Sequence, residues 1–260
     1  MIDVSETPQN IALAFEIGLK VPETLFFGSF DDDKKKEVFM SGEWDVVAPN
    51  LALAHKGDFE LTCSAFWDGN KFSLWMLSFK DRYLLSGSQG GKLPENCLTI
   101  YPGKIIQLKK QFKLLSARDP EYRGFINIDI TPVNGKLYYK KIWFGAHWDF
   151  LHCLSELYEK PLDALFKTER IDDIPVEGFA CSTRLYAIPY DAIENKIAVE
   201  GFKEGEDCWI AVGRGKNIKE TWHELYKSVT GINKLGLCYR IDGDVMARRT
   251  FAYLKKEKYI

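Results

Sequence analysis

The stretch Gly124–Asp149, GFINIDITPVNGKLYYKKIWFGAHWD, decides the fold. It reads as strand, turn, strand. Phe125, Ile126, Ile128 and Ile130 lead into Asn134-Gly135, and Leu137, Tyr138, Tyr139 and Ile142 leave it. Both turn residues tolerate positive φ, so Asn-Gly between two alternating apolar runs marks a tight hairpin. Upstream, Phe59–Phe79 repeats the pattern: FELTCSAFWDG and NKFSLWMLSF are joined through Asp68-Gly69-Asn70. These turn residues fall where the period of two breaks, so a second hairpin is expected there. Two hairpins call for an antiparallel sheet.

The rest of the chain supplies helices and further strands. Thr7–Lys20 reads as a short helix, with Glu6-Thr7-Pro8 at its start and Gly18 near its end. Val21–Phe27 reads as extended. Asp149–Leu165 is helical, because Phe150, Leu151, Leu154, Leu157 and Tyr158 recur at helical spacing, and Pro161 interrupts it. Ile171–Pro175 looks like a linker. Gly178–Tyr190 and Asp207–Val212 read as strands, and Ile218–Thr230 as an amphipathic helix. The run DDDKKK at Asp31–Lys36 reads as a solvated loop or a helix start, with acids ahead of bases as a helix dipole prefers.

The 124–149 hairpin resembles the last hairpin of the ATP-grasp ligases, specifically the glycinamide ribonucleotide synthetase (phosphoribosylamine–glycine ligase) family. In that family the first strand carries an acid and the second ends in a Glu-x-Asn that holds the magnesium of MgATP. Asp129 keeps the acid here, while Lys141 stands at the Glu position and Trp143 at the Asn position. Glu60, Ser64, Asp68 and Gly69 match the family's earlier hairpin. Ser86-Gly87-Ser88-Gln89-Gly90-Gly91 lies where the family has a glycine-rich loop beside its substrate. Ala211–Asp244 resembles its C-terminal subdomain, with Tyr226, Val229, Tyr239, Arg240, Asp242 and Gly243 on the motif and one residue missing between Asp242 and Gly243.

The resemblance implies an α+β fold: an ATP-grasp-like antiparallel central sheet with helices on one face and a small C-terminal subdomain. It implies three units, namely a remnant of the small ATP-grasp subdomain over residues 1–58, the sheet domain over 59–170 and the C-terminal subdomain over 171–260. The implied ligand residues are Asp129, Lys141, Arg240, Asp242, Gly90 and Gly91, with Asp129 a weak metal ligand. ATP is the implied cofactor.

Full-length members carry an N-terminal nucleotide-fold domain and a small subdomain with an ATP-contacting lysine. This chain opens near the small subdomain and contains no Gly-x-Gly-x-x-Gly. Trp44–Pro49 matches the lysine strand without the lysine, and Lys56 is out of register. An ATP-grasp ligase makes an acyl phosphate that an amine then attacks, and the charge on the transferred phosphoryl needs magnesium and cations. Magnesium needs oxygen ligands, which lysine and tryptophan do not offer. The expectation is therefore a pseudoenzyme that binds a nucleotide, a sugar phosphate or a protein partner. The alternative is a divergent carboxylate–amine ligase whose missing domain comes from a second polypeptide. If Lys141 replaces the lost cation, it pairs with Asp129 across the hairpin.

Composition excludes other classes. The chain has 260 residues, 46% of them hydrophobic and 28% charged, with a formal net charge of -2. That suits a large folded unit without an overall basic field for nucleic acid or membrane, though a local basic patch stays open. No apolar run nears the roughly 20 residues that span a bilayer. The polar N-terminus is not a secretory signal. Cys63, Cys97, Cys153, Cys181, Cys208 and Cys238 stand singly, as buried thiols in a reducing cytoplasm do. His147, Asp149 and His152 form a weak candidate metal cluster. Trp143, Trp148 and the other tryptophans read as core or as a platform for a base or sugar.

Overall fold

A computed structural model describes residues 7–26, 44–48, 51–54, 59–81, 97–158, 162–167, 178–187, 208–232, 237–239, 241 and 243–260. Gly90, Gly91, Arg240 and Asp242 lie outside the described residues, as do Asp31–Lys36 and the 171–175 linker.

The described residues form two antiparallel sheets. The smaller contains β1 (Thr24–Phe26), β2 (Trp44–Ala48) and β3 (Leu51–Ala54), in the order β1-β3-β2. The larger contains β4 (Leu61–Trp67), β5 (Phe72–Asp81), β6 (Cys97–Pro102), β7 (Gly124–Val133), β8 (Lys136–Phe144), β9 (Phe179–Ala187) and β10 (Cys208–Gly215). Its order is β10-β9-β6-β5-β4-β7-β8, and the short β11 (Leu237–Cys238) pairs with the end of β9. β9 pairs directly with β6, so strands on both sides of residue 170 belong to this sheet.

Both hairpins form where the turn residues place them. Asn134 has φ 49° and Gly135 φ 71°, the two positive values that a tight hairpin turn needs. At the other turn the Asp68 carboxylate accepts the amides of Asn70 and Lys71 at 2.8 and 2.7 Å.

The helices are α1 (Thr7–Glu16), α2 (Lys109–Ser116), α3 (Trp148–Leu157), α4 (Asp163–Lys167), α5 (Ile218–Thr230) and α6 (Gly243–Lys256). The expectation of helices on one face is corrected: they cover both. On one face Leu61, Cys63, Leu77, Phe79, Ile126, Ile128, Ile130 and Cys181 pack under α1, α2, α5 and α6. On the other, Phe66, Met76, Leu98, Ile100, Phe125 and Ala180 pack under α3 and α4. Alternate strand residues point to opposite faces, so a strand buried on both sides needs a helical layer on each.

Other boundaries move. α1 ends at Glu16 rather than Lys20, because Gly18 turns the chain at φ 76°. The helix expected over Asp149–Leu165 begins at Trp148, stops at Leu157 and resumes as α4. β6, α2 and α6 carry no turn or cap signal strong enough to be read from the sequence.

α1 closes the sheet's outer edge. The Asn10 side chain accepts the Ile142 amide at 3.1 Å and donates to the Ile142 carbonyl at 3.0 Å. The Tyr139 hydroxyl donates to the same Asn10 oxygen at 2.5 Å, and the Tyr139 amide donates to the Lys20 carbonyl at 2.9 Å. These bonds occupy part of the edge strand's backbone and leave less of it as a template for another strand.

The C-terminal signature is a packing unit. Trp222, Tyr226 and Val229 lie along α5. A Cβ on Gly243 would sit 2.3 Å from the Trp222 ring, so only glycine starts α6 there. The Gly243 amide donates to the Tyr226 hydroxyl at 3.2 Å, and the rings of Tyr226 and Tyr239 are 6.5 Å apart.

Candidate ligand site

The α3-side face of the sheet changes character along β4 and β7. Under α3 it is apolar. Beyond Phe66 and Phe125 it becomes a strip of buried polar side chains: Thr62 and Ser64 on β4, Ser78 on β5, Asn127 and Asp129 on β7. The register brings them together. Thr62 lies opposite both Asp129 and Ser78, and Ser64 opposite Asn127. Directly opposed residues in an antiparallel pair share a face, so the strip follows from strand pairing alone.

Asn127 organises one end. Its oxygen accepts the Ser64 hydroxyl at 2.6 Å. Its amide nitrogen donates to the carbonyls of Trp143 at 3.2 Å and Gly145 at 2.8 Å. It therefore fixes the end of β8 and the turn into α3. Nothing in the sequence marked Asn127, since a lone Asn among isoleucines carries no motif; its position facing Ser64 is the only clue.

Asp129 is 7% exposed. Its Oδ1 accepts the Trp143 indole N–H at 2.9 Å. The expected Asp129–Lys141 pair does not form. The two are direct partners in the register, but Lys140 is an extra residue where the pairing shifts between Asp129 and Ile130. At this bulge Lys140 is buried, while Lys141 is exposed and in no ion pair among the described residues. An inserted residue re-aims its neighbours, and a count outward from the turn misses it.

The charge of Asp129 reaches through the sheet. Burial first, and Asp129 second, push the Cys63 thiol far above its usual range, and the same two causes raise the Tyr139 phenol. Burial likewise pushes Cys153 up to about 12, opposed by a hydrogen bond with Ser182. Cys63, Cys153 and Cys181 are buried free thiols, as their apolar sequence neighbours suggested. A thiol held protonated is a poor nucleophile.

The His147, Asp149 and His152 cluster is not a metal site. Arg184 holds Asp149 with two donors, Nε at 3.3 Å and an Nη at 3.1 Å, tying α3 to β9. His147 packs against Trp143, ring centroids 4.5 Å apart, and His152 lies 6.3 Å from Trp148.

No family model matches the chain, and no curated sequence does. Solved structures do. A phosphoribosylamine–glycine ligase from Thermotoga maritima superposes with a TM-score of 0.57 at 16% identity, over 88% of this chain and 76% of that one. An N5-carboxyaminoimidazole ribonucleotide synthetase from Thermus thermophilus gives 0.54 at 13%, over 86% and 71%. An N5-carboxyaminoimidazole synthase from Aspergillus clavatus, in complex with ADP and 5-aminoimidazole ribonucleotide, gives 0.55 at 9%, over 85% and 71%.

The chain has the ATP-grasp fold.

At these identities the likeness concerns architecture, and the residues must speak for the chemistry. Magnesium, which the fold implies, takes oxygen ligands in octahedral geometry. Trp143 and Lys141 offer only N–H donors. Among the described residues no three His, Cys, Asp or Glu side chains come together to hold a metal. The strip in this ATP-grasp chain does not fit magnesium.

Proposed function

We propose that this ATP-grasp protein, related to glycinamide ribonucleotide synthetase, is a non-catalytic remnant that binds a ligand or partner on the old active face. The hydrogen bond from Trp143 to Asp129 carries the reading. It occupies a carboxylate oxygen that the resemblance assigns to a cation, and its donor cannot become a metal ligand. Phosphoryl transfer spreads negative charge over the moving group and depends on metal and cationic stabilisation. A strip of hydroxyls, one amide and an indole-capped acid is suited to hydrogen-bonding a polar ligand. The same reading keeps Gly90, Gly91, Arg240, Asp242 and Lys141 as further contacts, a nucleotide or sugar phosphate as ligand, and residues 1–58, 59–170 and 171–260 as its three units.

The second reading is a carboxylate–amine ligase completed by another polypeptide. It draws on the buried polar strip, since an apolar face would pack at least as well if the face had no use. One experiment separates the two. The purified chain is titrated with ATP in magnesium and in EDTA, and ADP release is followed with glycine and phosphoribosylamine present. The expected result is no turnover, with any nucleotide affinity equal in both buffers. ADP release at about 1 per second or faster, dependent on magnesium, would sink the non-catalytic reading.

A further inference from the structure

A second surface, on the other face of the sheet from the polar strip, has features that the ligand site does not use. The chain is slightly acidic overall, yet between Lys104 and Ala117 it has four lysines and no acidic residue. This segment is a single turn of 3-10 helix, Ile106–Leu108, running into α2. Its inner face is fixed by Ile105, Leu108, Phe112 and Leu115, all buried in the core. Its outer face holds Lys104, Lys109, Lys110 and Lys113, all exposed and none in an ion pair among the described residues. Lys104 instead rests over the Trp75 ring at 5.6 Å.

Apolar side chains stand among these lysines. Ile106 is 73% exposed and Leu114 is 38% exposed. Ile106, Lys110 and Leu114 follow at intervals of four, so they form one outward stripe. α1 lies alongside: Arg118 pairs with Glu16, and Gln111 approaches the Gly18 carbonyl at 3.4 Å. Next to Glu16, Phe15 is 77% exposed. The flanking acids are Glu16, which Arg118 neutralises, and Asp119 and Glu121 just beyond the end of α2.

We propose that this ridge docks the protein on an anionic phospholipid surface. Unpaired lysines gain from a negative leaflet, and isolated aliphatic or aromatic side chains gain by entering between head groups. A protein partner would want a contiguous apolar centre, whereas here a lysine separates Ile106 from Leu114. A single-stranded nucleic acid would want exposed rings for its bases; Trp75 lies beneath Lys104 and packs against Phe72 and Phe112. No helix among the described residues is long and apolar enough to cross a membrane, so the contact is peripheral.

The test is co-flotation of the whole chain with phosphatidylcholine vesicles, with and without phosphatidylserine. Binding is expected only with phosphatidylserine, weakening as salt rises. Reversing Lys109, Lys110 and Lys113 to Glu should weaken it on the order of 100-fold. Ile106→Ser with Leu114→Ser should weaken it about tenfold without changing the salt dependence. Unchanged circular dichroism melting shows that the variants fold, and the salt series on wild type stands independently of them. No flotation of the wild-type chain, or equal flotation of the charge-reversed variant, would overturn the proposal. So would binding to heparin or poly-uridine as tight as to vesicles and indifferent to the Ile106 and Leu114 changes.

Discussion

The two faces of β7 differ although both are buried. Ile126, Ile128 and Ile130 enter the helix-covered core with no polar atom to satisfy. Asn127, Asp129 and Thr131, their immediate neighbours in sequence, are also buried, and each has a hydrogen-bonding partner: Ser64 and two carbonyls for Asn127, Trp143 for Asp129, the Phe59 carbonyl for Thr131. The isoleucine face contributes stability through area and dispersion. The polar face contributes little net stability, since each of its bonds replaces one to water, but leaving any of them unmade is expensive. The first face supplies apolar stabilisation; the second is a buried polar strip whose hydrogen bonds fix how β4, β7 and β8 meet.

Substitutions should separate the faces. The largest effect is expected on the apolar side. Ile128→Ala should lower unfolding free energy by about 2–5 kcal/mol, read from urea denaturation, because packed neighbours collapse only partly into the space. A loss below about 1 kcal/mol would mean that the β7 core is loosely packed. Across the strand, Asn127→Ala should cost about 1–3 kcal/mol by leaving the Ser64 hydroxyl and two carbonyls without their partner. Asn127→Ala without effect would show that water replaces the amide freely and that the strip is wet.

A smaller effect concerns pH. Burial, with Asp129 behind it, raises the Tyr139 phenol, so the folded state favours the neutral form. The associated stability is complete below the unfolded-state value of about 10 and declines as pH rises from there toward the folded value. Melting temperature should therefore fall above about pH 10, and less steeply in Tyr139→Phe. An unchanged slope in that variant would assign the alkaline transition to the other groups that burial raises, namely Tyr101, Tyr122, Tyr259, Cys63 and Cys153. The smallest effect belongs to Lys141. Since it is exposed and in no ion pair among the described residues, Lys141→Ala should change stability by less than about 0.5 kcal/mol, with or without magnesium. A larger loss would restore the Asp129–Lys141 pairing that the hairpin count suggested.

Local chemistry is readable along the chain. Asn134-Gly135 fixes a hairpin because both residues reach positive φ, and Asp68 fixes the other turn through the amides that follow it. The apolar spacing of Ile218–Thr230 gives α5 its limits, which agree with those observed. The ATP-grasp hairpins, and Asp129 as the acid on β7, were legible for that reason. Which side chains meet is settled only when the strands and helices pack. Asn10 caps Ile142 across 132 positions of sequence, and Ser64 meets Asn127 across 63. Lys140 enters at a bulge whose existence depends on how β8 pairs with β7, and Trp143, not the exposed Lys141, holds Asp129. Turn chemistry acts over a few bonds and can be read from neighbours. Register and bulges follow from the packing of every strand at once, so the fold was written in the local pattern and the site was not.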